Sequence, residues 1–174
     1  HLVLRQKGLE ADDLAAWIVG KRRDFGINET WLISSDKDWD LLIDDDVSRF
    51  STVTRKETTV GNWDEHYKFD RDMFLTFKCL AGDTGDNIPG IKGIGPKRAE
   101  QLIKQYGDLF DIYNACPIDS KYKFIQELNE NAERLLLNAE LMDLESYSEQ
   151  AIIEADMDLE DLSSQIREHL NGSS

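Results

Sequence analysis

Gly82-Asp-Thr-Gly-Asp-Asn-Ile-Pro-Gly-Ile-Lys-Gly-Ile-Gly-Pro-Lys-Arg-Ala99 holds five glycines and one proline between positions 82 and 95, so that part of the backbone reads as loop. Gly90, Gly93 and Gly95 permit a tight hairpin, and Pro96 is a favoured first residue for the helix that follows, expected from Lys97 to about Tyr106. A hairpin opening a helix leaves backbone amides exposed at the helix start, which is an anion site. Lys92, Lys97 and Arg98 put positive charge at the same place. Together they would hold a nucleic-acid phosphate and no particular base. A glycine pattern alone signals only a turn; three glycines with a proline and three bases favour phosphate binding.

Upstream of that loop the periodicity is helical from Asp70, with Phe74, Phe77, Leu80 and Ala81 on one face. Glu10 to Arg23 reads as an amphipathic helix with acids in its first turn. Thr30 to Ser35 reads as a buried strand ending at Asp36, and Val47–Thr52 and Glu57–Val60 read as two further strands joined as a ribbon. Downstream, helices are expected from Asp108 to Asn114, from Tyr122 through Glu140 and from Met157 to Leu170. Trp17, Trp31, Phe74 and Phe77 are expected in the core, and Asp44-Asp-Asp46 as a solvated turn.

Three acidic clusters stand where such elements would bring side chains to a functional edge. Glu10, Asp12 and Asp13 open a helix, Asp36 and Asp38 follow a strand, and Asp83 and Asp86 lie where a helix meets the glycine-rich loop. The carboxyl ends of strands in an open α/β sheet are the usual place for an active site. Converging carboxylates need cations, and an oxygen-only donor set favours Mg²⁺ or Mn²⁺ over Zn²⁺. Two such ions clamp the attacking and leaving oxygens of an in-line phosphoryl displacement, so phosphodiester hydrolysis is the expected chemistry. Taken singly, each acid is more commonly a helix-start or solvated residue. Asp36-Lys-Asp-Trp-Asp40 is not a calcium loop, since Leu41 and Val47 stand where Gly and Glu are required.

Composition narrows the partners. The chain of 174 residues carries 35 acids against 20 bases, a formal charge of −15, which by itself argues against nucleic acid. Thirteen of the acids and two of the bases fall in residues 125–174, so residues 1–124 carry only −4, and +3 if the seven candidate ligands are neutralised by cations. Two isolated cysteines, Cys79 and Cys116, suggest neither a disulfide framework nor a zinc site. No apolar run reaches the roughly 18 residues of a spanning helix, so a soluble, intracellular protein with no membrane partner is expected.

The 82–99 segment resembles the signature of the 5′ nuclease superfamily, the flap endonucleases and 5′–3′ exonucleases. Glu10-Ala-Asp-Asp13 and Ser34-Ser-Asp-Lys-Asp-Trp-Asp40 match that family's other acidic motifs in order, over residues 9 to 145, with spacing most similar to T5-like phage exonucleases. The resemblance implies an α/β fold: the C-terminal part of a PIN-like nuclease core with a mainly parallel sheet in residues 1–68, a helix-hairpin-helix DNA-binding region in 69–124, and acidic helices in 125–174. It implies Glu10, Asp12, Asp13, Asp36, Asp38, Asp83 and Asp86 as one metal cluster, with Asp36, Asp38, Asp83 and Asp86 catalytic. Gly90, Lys92, Gly93, Gly95, Lys97 and Arg98 would bind DNA, with K⁺ at the hairpin carbonyls.

The implied activity is structure-specific 5′ nuclease action at single-strand/duplex junctions, on 5′ flaps and RNA primers in RNA–DNA hybrids. A monomer working beside replication proteins in the cytoplasm of a bacterial or phage-infected cell is expected. The family's first strand, two further aspartates and helical arch have no counterpart in this sequence. Two rival readings are weaker. A non-catalytic DNA-binding module leaves the three acidic clusters unexplained, and a PIN-class ribonuclease lacks the hairpin.

Overall fold

The computed structural model describes residues 1–83 and 87–172, which form two compact units. The first comprises His1–Thr59 with Leu144–Ser174, the second Val60–Asp143. Contacts thus divide the chain at other places than composition suggested. The acidic C-terminal stretch is not a unit of its own: residues 125–143 belong to the second unit and 144–172 to the first.

The first unit is built around helix α1 (Ala11–Lys21), whose sequence is apolar on two faces. Ala16 and Val19 pack on Leu32, Leu42 and Val47 of the sheet side. Leu14 and Trp17 pack on Ile152, Leu162 and Ile166, which belong to helices α8 (Leu144–Glu154) and α9 (Leu159–Gly172). A helix buried on both sides needs this nearly continuous apolar run, with its acids confined to the first turn. Helix α8 fell between the expected elements, since Met142 to Ala155 has no simple apolar stripe.

The sheet of the first unit runs β1 (Thr30–Ile33), β2 (Val47–Ser51), β3 (Lys56–Thr58). Strand β1 pairs parallel to β2, Thr30 beside Val47 through Ile33 beside Phe50, and β2 pairs antiparallel to β3, as the ribbon reading anticipated. The sheet is therefore mixed. Strand β1 is not buried on both faces: Leu32 is covered by α1, but Trp31 and Ile33 are exposed by 42% and 59%. Side chains alternate along a strand and α1 covers only the Leu32 face, so Trp31 is no core residue. Its indole N–H donates to Glu29 Oε1 at 2.9 Å.

In the second unit, a short helix α2 (Trp63–His66) leads to α3 (Phe74–Ala81), against which α4 (Pro96–Tyr106), α5 (Leu109–Ala115) and α7 (Ala132–Met142) pack. Phe74, Leu80, Leu102, Ile112, Leu128 and Leu135 are buried. The Trp63 indole donates to the Phe69 carbonyl at 2.8 Å, and Thr76 Oγ1 accepts the Leu109 amide at 3.0 Å, fixing the start of α5. The helix expected from Tyr122 to Glu140 is two, α6 (Lys123–Glu130) and α7, broken at Asn131, whose φ of −122° and ψ of 25° leave helical space. Inside the glycine-rich loop, β4 (Gly82–Asp83) and β5 (Ile88–Pro89) pair antiparallel, Gly82 beside Pro89 and Asp83 beside Ile88.

Candidate metal centre and nucleic-acid interface

The first two acidic clusters sit at element boundaries that the acids' own hydrogen bonds fix. Glu10 caps α1 in a capping box with Asp13, whose Oδ2 accepts the Glu10 amide at 3.2 Å. Asp12 lies in the same first turn, half-buried. Beyond the carboxyl end of β1, Asp36 Oδ1 accepts the Asp38 amide at 2.9 Å and opens a 3-10 turn over Lys37–Leu42, with Asp36 exposed and Asp38 half-buried. Five of the seven expected ligands thus lie in the first unit.

In the second unit, Asp83 is buried at 8% exposure and accepts from Lys78 Nζ at 3.0 Å. A carboxylate so enclosed requires a counter-charge, and here the lysine one turn back on α3 supplies it. Asp86 lies outside the described residues. The acid-bearing hairpin is held from both sides: Gly82 has φ +79°, and a Cβ on it would stand 2.3 Å from the Gly90 nitrogen. Asn138, fully buried on α7, donates through Nδ2 to the carbonyls of Cys79 at 3.0 Å and Pro89 at 2.9 Å. Both partners are acceptors, so the amide orientation is fixed and its Oδ1 has no hydrogen-bond partner among the described residues.

The donor set is carboxylate throughout, without His or Cys, and fits hard divalent cations. Among the described residues no three such donors stand close enough to enclose an ion by themselves.

The second candidate surface is the turn before α4. The Ile94 amide donates to the Ile91 carbonyl at 3.0 Å, with Gly93 at φ +82° as the third residue, as a type II turn requires. Ile91 and Ile94 are buried at 3% and 4%, anchoring the turn, while Lys92, Gly93, Gly95, Lys97 and Arg98 are exposed. Gly95 is the N-cap of α4; no side chain caps the helix and its first turn holds no acid. A Cβ on Gly95 would meet nothing within 4 Å. The amides at the start of α4 therefore face open space beside two lysines.

Arg98 is placed differently from Lys97. Its Nη1 donates to the Gly93 carbonyl at 2.6 Å and its guanidinium lies 4.3 Å from the Phe124 ring centroid, so it braces the turn.

Three residues that sequence reasoning passed over stand out. Asn138 is one. The others are Arg49 and Asp40, exposed by only 5% and 0%, which form an ion pair behind the Asp36–Asp38 turn. Val47, Arg49 and Ser51 are the inward positions of β2, and an inward arginine in a strand needs a buried carboxylate; that alternation was the available signal. Asp44 and Asp46 are likewise more than a solvated turn: Arg22 pairs with them at 2.9 and 2.7 Å.

Comparison with known proteins bears on both surfaces. The family profile "5′-3′ exonuclease, C-terminal SAM fold" matches residues 70–168. The flap endonuclease of Escherichia phage T5 is 43% identical over 156 residues, which are 89% of this chain and 53% of that protein. The chain thus spans about half the length of that relative. Among solved structures, T5 5′-exonuclease with bound zinc superposes with a TM-score of 0.81 at 39% identity, covering 98% of this chain and 61% of the other. A T5 flap endonuclease complex with DNA and metal ions gives the same values. No described helix is long and apolar enough to cross a membrane.

Proposed function

Because this chain belongs to the 5′–3′ exonuclease family, we propose that it is the carboxylate- and DNA-bearing part of a divalent-metal-dependent, structure-specific 5′ nuclease that hydrolyses phosphodiester bonds near single-strand/duplex junctions. The observation that carries this reading is the pairing of two features in one chain: carboxylates fixed at element ends, and an uncapped helix start flanked by Lys92 and Lys97. A purely DNA-binding role would leave Glu10, Asp13 and Asp36 only the capping of their own elements, which uncharged Ser, Thr or Asn does as well, and would give no reason for so many carboxylates together.

Glu10, Asp12, Asp13, Asp36, Asp38, Asp83 and Asp86 are the residues that would hold the cations, Mg²⁺ or Mn²⁺ by their hardness. Such ions, when bound, stabilise the attacking and leaving oxygens of an in-line displacement. The protein's own part is to hold charge and position. The α4 amides and Lys97 grip a backbone phosphate, the bare Gly95 lets it approach, and Lys92 adds attraction from the turn. These contacts ignore base identity, so the substrate is selected by shape: 5′ flaps and ends, including RNA–DNA hybrids.

Cleavage of a 5′-labelled flap oligonucleotide in Mg²⁺ or Mn²⁺ tests the proposal. Junction-proximal cutting that EDTA abolishes is expected, with Asp36→Asn and Asp86→Asn each losing about 100-fold or more in rate, above the ordinary effect of residues behind the ligands. Lys92→Ala with Lys97→Ala should reduce the slope of log affinity against log salt by about two, roughly one per lysine. Salt-sensitive duplex binding without cutting under any divalent ion would instead favour the DNA-binding module.

A further inference from the structure

We propose that Arg49 and Asp40 form a positioning clamp for the Asp36–Asp38 turn, and that their pairing sets the affinity of this turn for a divalent cation. The inference rests on the nuclease reading of those two carboxylates and adds two residues to it.

The geometry closes a ring around the turn. Arg49, on β2, donates from Nη1 to the Ser34 carbonyl at 3.1 Å, just ahead of the turn. Its Nε and Nη2 both donate to the Asp40 carboxylate, just behind the turn, the second at 3.0 Å. Nη2 also reaches Thr58 Oγ1 at 3.3 Å, tying the guanidinium to β3. Between these anchors, the Asp36 amide donates to Ser34 Oγ at 3.1 Å and the Asp38 amide to Asp36 Oδ1 at 2.9 Å. One planar cation thus grips both ends of a short loop whose middle presents the two acids.

Burial argues that the pair is retained for placement. Arg49 and Asp40 are almost completely enclosed, and an ion pair at that depth is commonly no more stabilising than apolar groups of similar volume, because both charges lose their hydration. What an apolar pair cannot do is bind the Ser34 carbonyl and the far end of the turn at once. The fork of arginine does so in one rigid plane, which lysine cannot match. A cation site needs its oxygens preset, and residues behind metal ligands typically change affinity 10–100-fold.

The test uses the complete 174-residue chain and Mn²⁺ as the probe, with bound ion followed by electron paramagnetic resonance and folding by thermal melting. The double variant Asp40→Leu/Arg49→Met is expected to melt near the unaltered chain yet bind Mn²⁺ at least tenfold more weakly. Arg49→Lys, which keeps the charge but loses the fork, should weaken binding several-fold without a comparable loss of stability. Arg22→Met, which breaks another largely buried ion pair of the same unit, should lower the melting temperature and leave Mn²⁺ affinity unchanged. Wild-type affinity in both Arg49 variants overturns the clamp, and if the double variant fails to fold, Arg49→Lys decides alone. Equal weakening by Arg22→Met shows a general stability effect and also overturns it. Absence of Mn²⁺ binding by the unaltered chain overturns the metal reading of the turn itself.

Discussion

Alanine substitution at three glycines of one loop should give three different outcomes, because the structure assigns each a different reason for lacking a side chain. Gly82 combines φ +79° and ψ 177°, a region essentially reserved for glycine, with a would-be Cβ 2.3 Å from the Gly90 nitrogen. The backbone conformation costs about 1–3 kcal/mol, and relieving the clash costs about 1–3 kcal/mol more. Gly90 has no such φ, but its Cβ would stand 2.4 Å from the Leu80 carbonyl oxygen and 2.5 Å from the Gly82 nitrogen, both main chain and unable to rotate away. Gly95 has φ −94° and open space, so alanine there should change stability by no more than about 0.5 kcal/mol, the reduced conformational entropy of the unfolded chain offsetting the poorer cap. For a chain of this size 3 kcal/mol lowers the melting temperature by about 6–12 °C. Gly82→Ala and Gly90→Ala should both fall in that range or beyond. Gly95→Ala should melt with the parent but bind duplex DNA more weakly, its methyl group standing where a phosphate would approach the α4 amides. Calorimetry of the three variants beside a duplex-binding isotherm for Gly95→Ala is the assay. A neutral Gly90→Ala, or a Gly95→Ala as unstable as Gly82→Ala, would refute the sorting.

Two further expectations follow from charge and burial. The hydrogen bond from Arg22, reinforced by its charge, holds the Asp46 carboxyl below its ordinary value of 3.8, so the pair stabilises the fold above that pH and the contribution fades as pH falls through the depressed value. Acid denaturation curves of Asp46→Asn should therefore lie below the parent near neutrality and converge with it in strong acid. Burial, with a smaller push from Asp143, raises the Cys79 thiol to about 12, so at pH 8 iodoacetamide should leave it unmodified in the native chain. Burial raises Cys116 as well, but that residue is only half-buried; mass spectrometry should find it modified first, and rapid native labelling of Cys79 would contradict the packing of α3.

Much of the functional reading was open to inspection in the one-dimensional chain, because it rests on local rules. Pro96 after Gly95 favours a helix start, a positive φ at Gly93 follows from a tight turn, and Asp36 after a strand is free to cap the next turn. The acids of Glu10 to Asp13 were legible for the same reason, as a helix start. These features depend on neighbours a few residues away, and a linear chain displays such neighbours directly.

What the tertiary structure alone decided are the partners joined across long separations. The alternation of β2 can turn Arg49 inward, but it does not say that Asp40 is the carboxylate it meets, nor does anything near Asn138 say that its amide will bridge Cys79 and Pro89. The face of β1 that α1 covers determines that Leu32 is buried and Trp31 is not, and the packing of α8 and α9 on α1 returns the acidic end of the chain to the first unit. The physical reason is that a buried polar group has no preferred partner until the fold has removed water from it. Which groups lose water together is set by how elements pack, a property of three dimensions that sequence spacing does not carry.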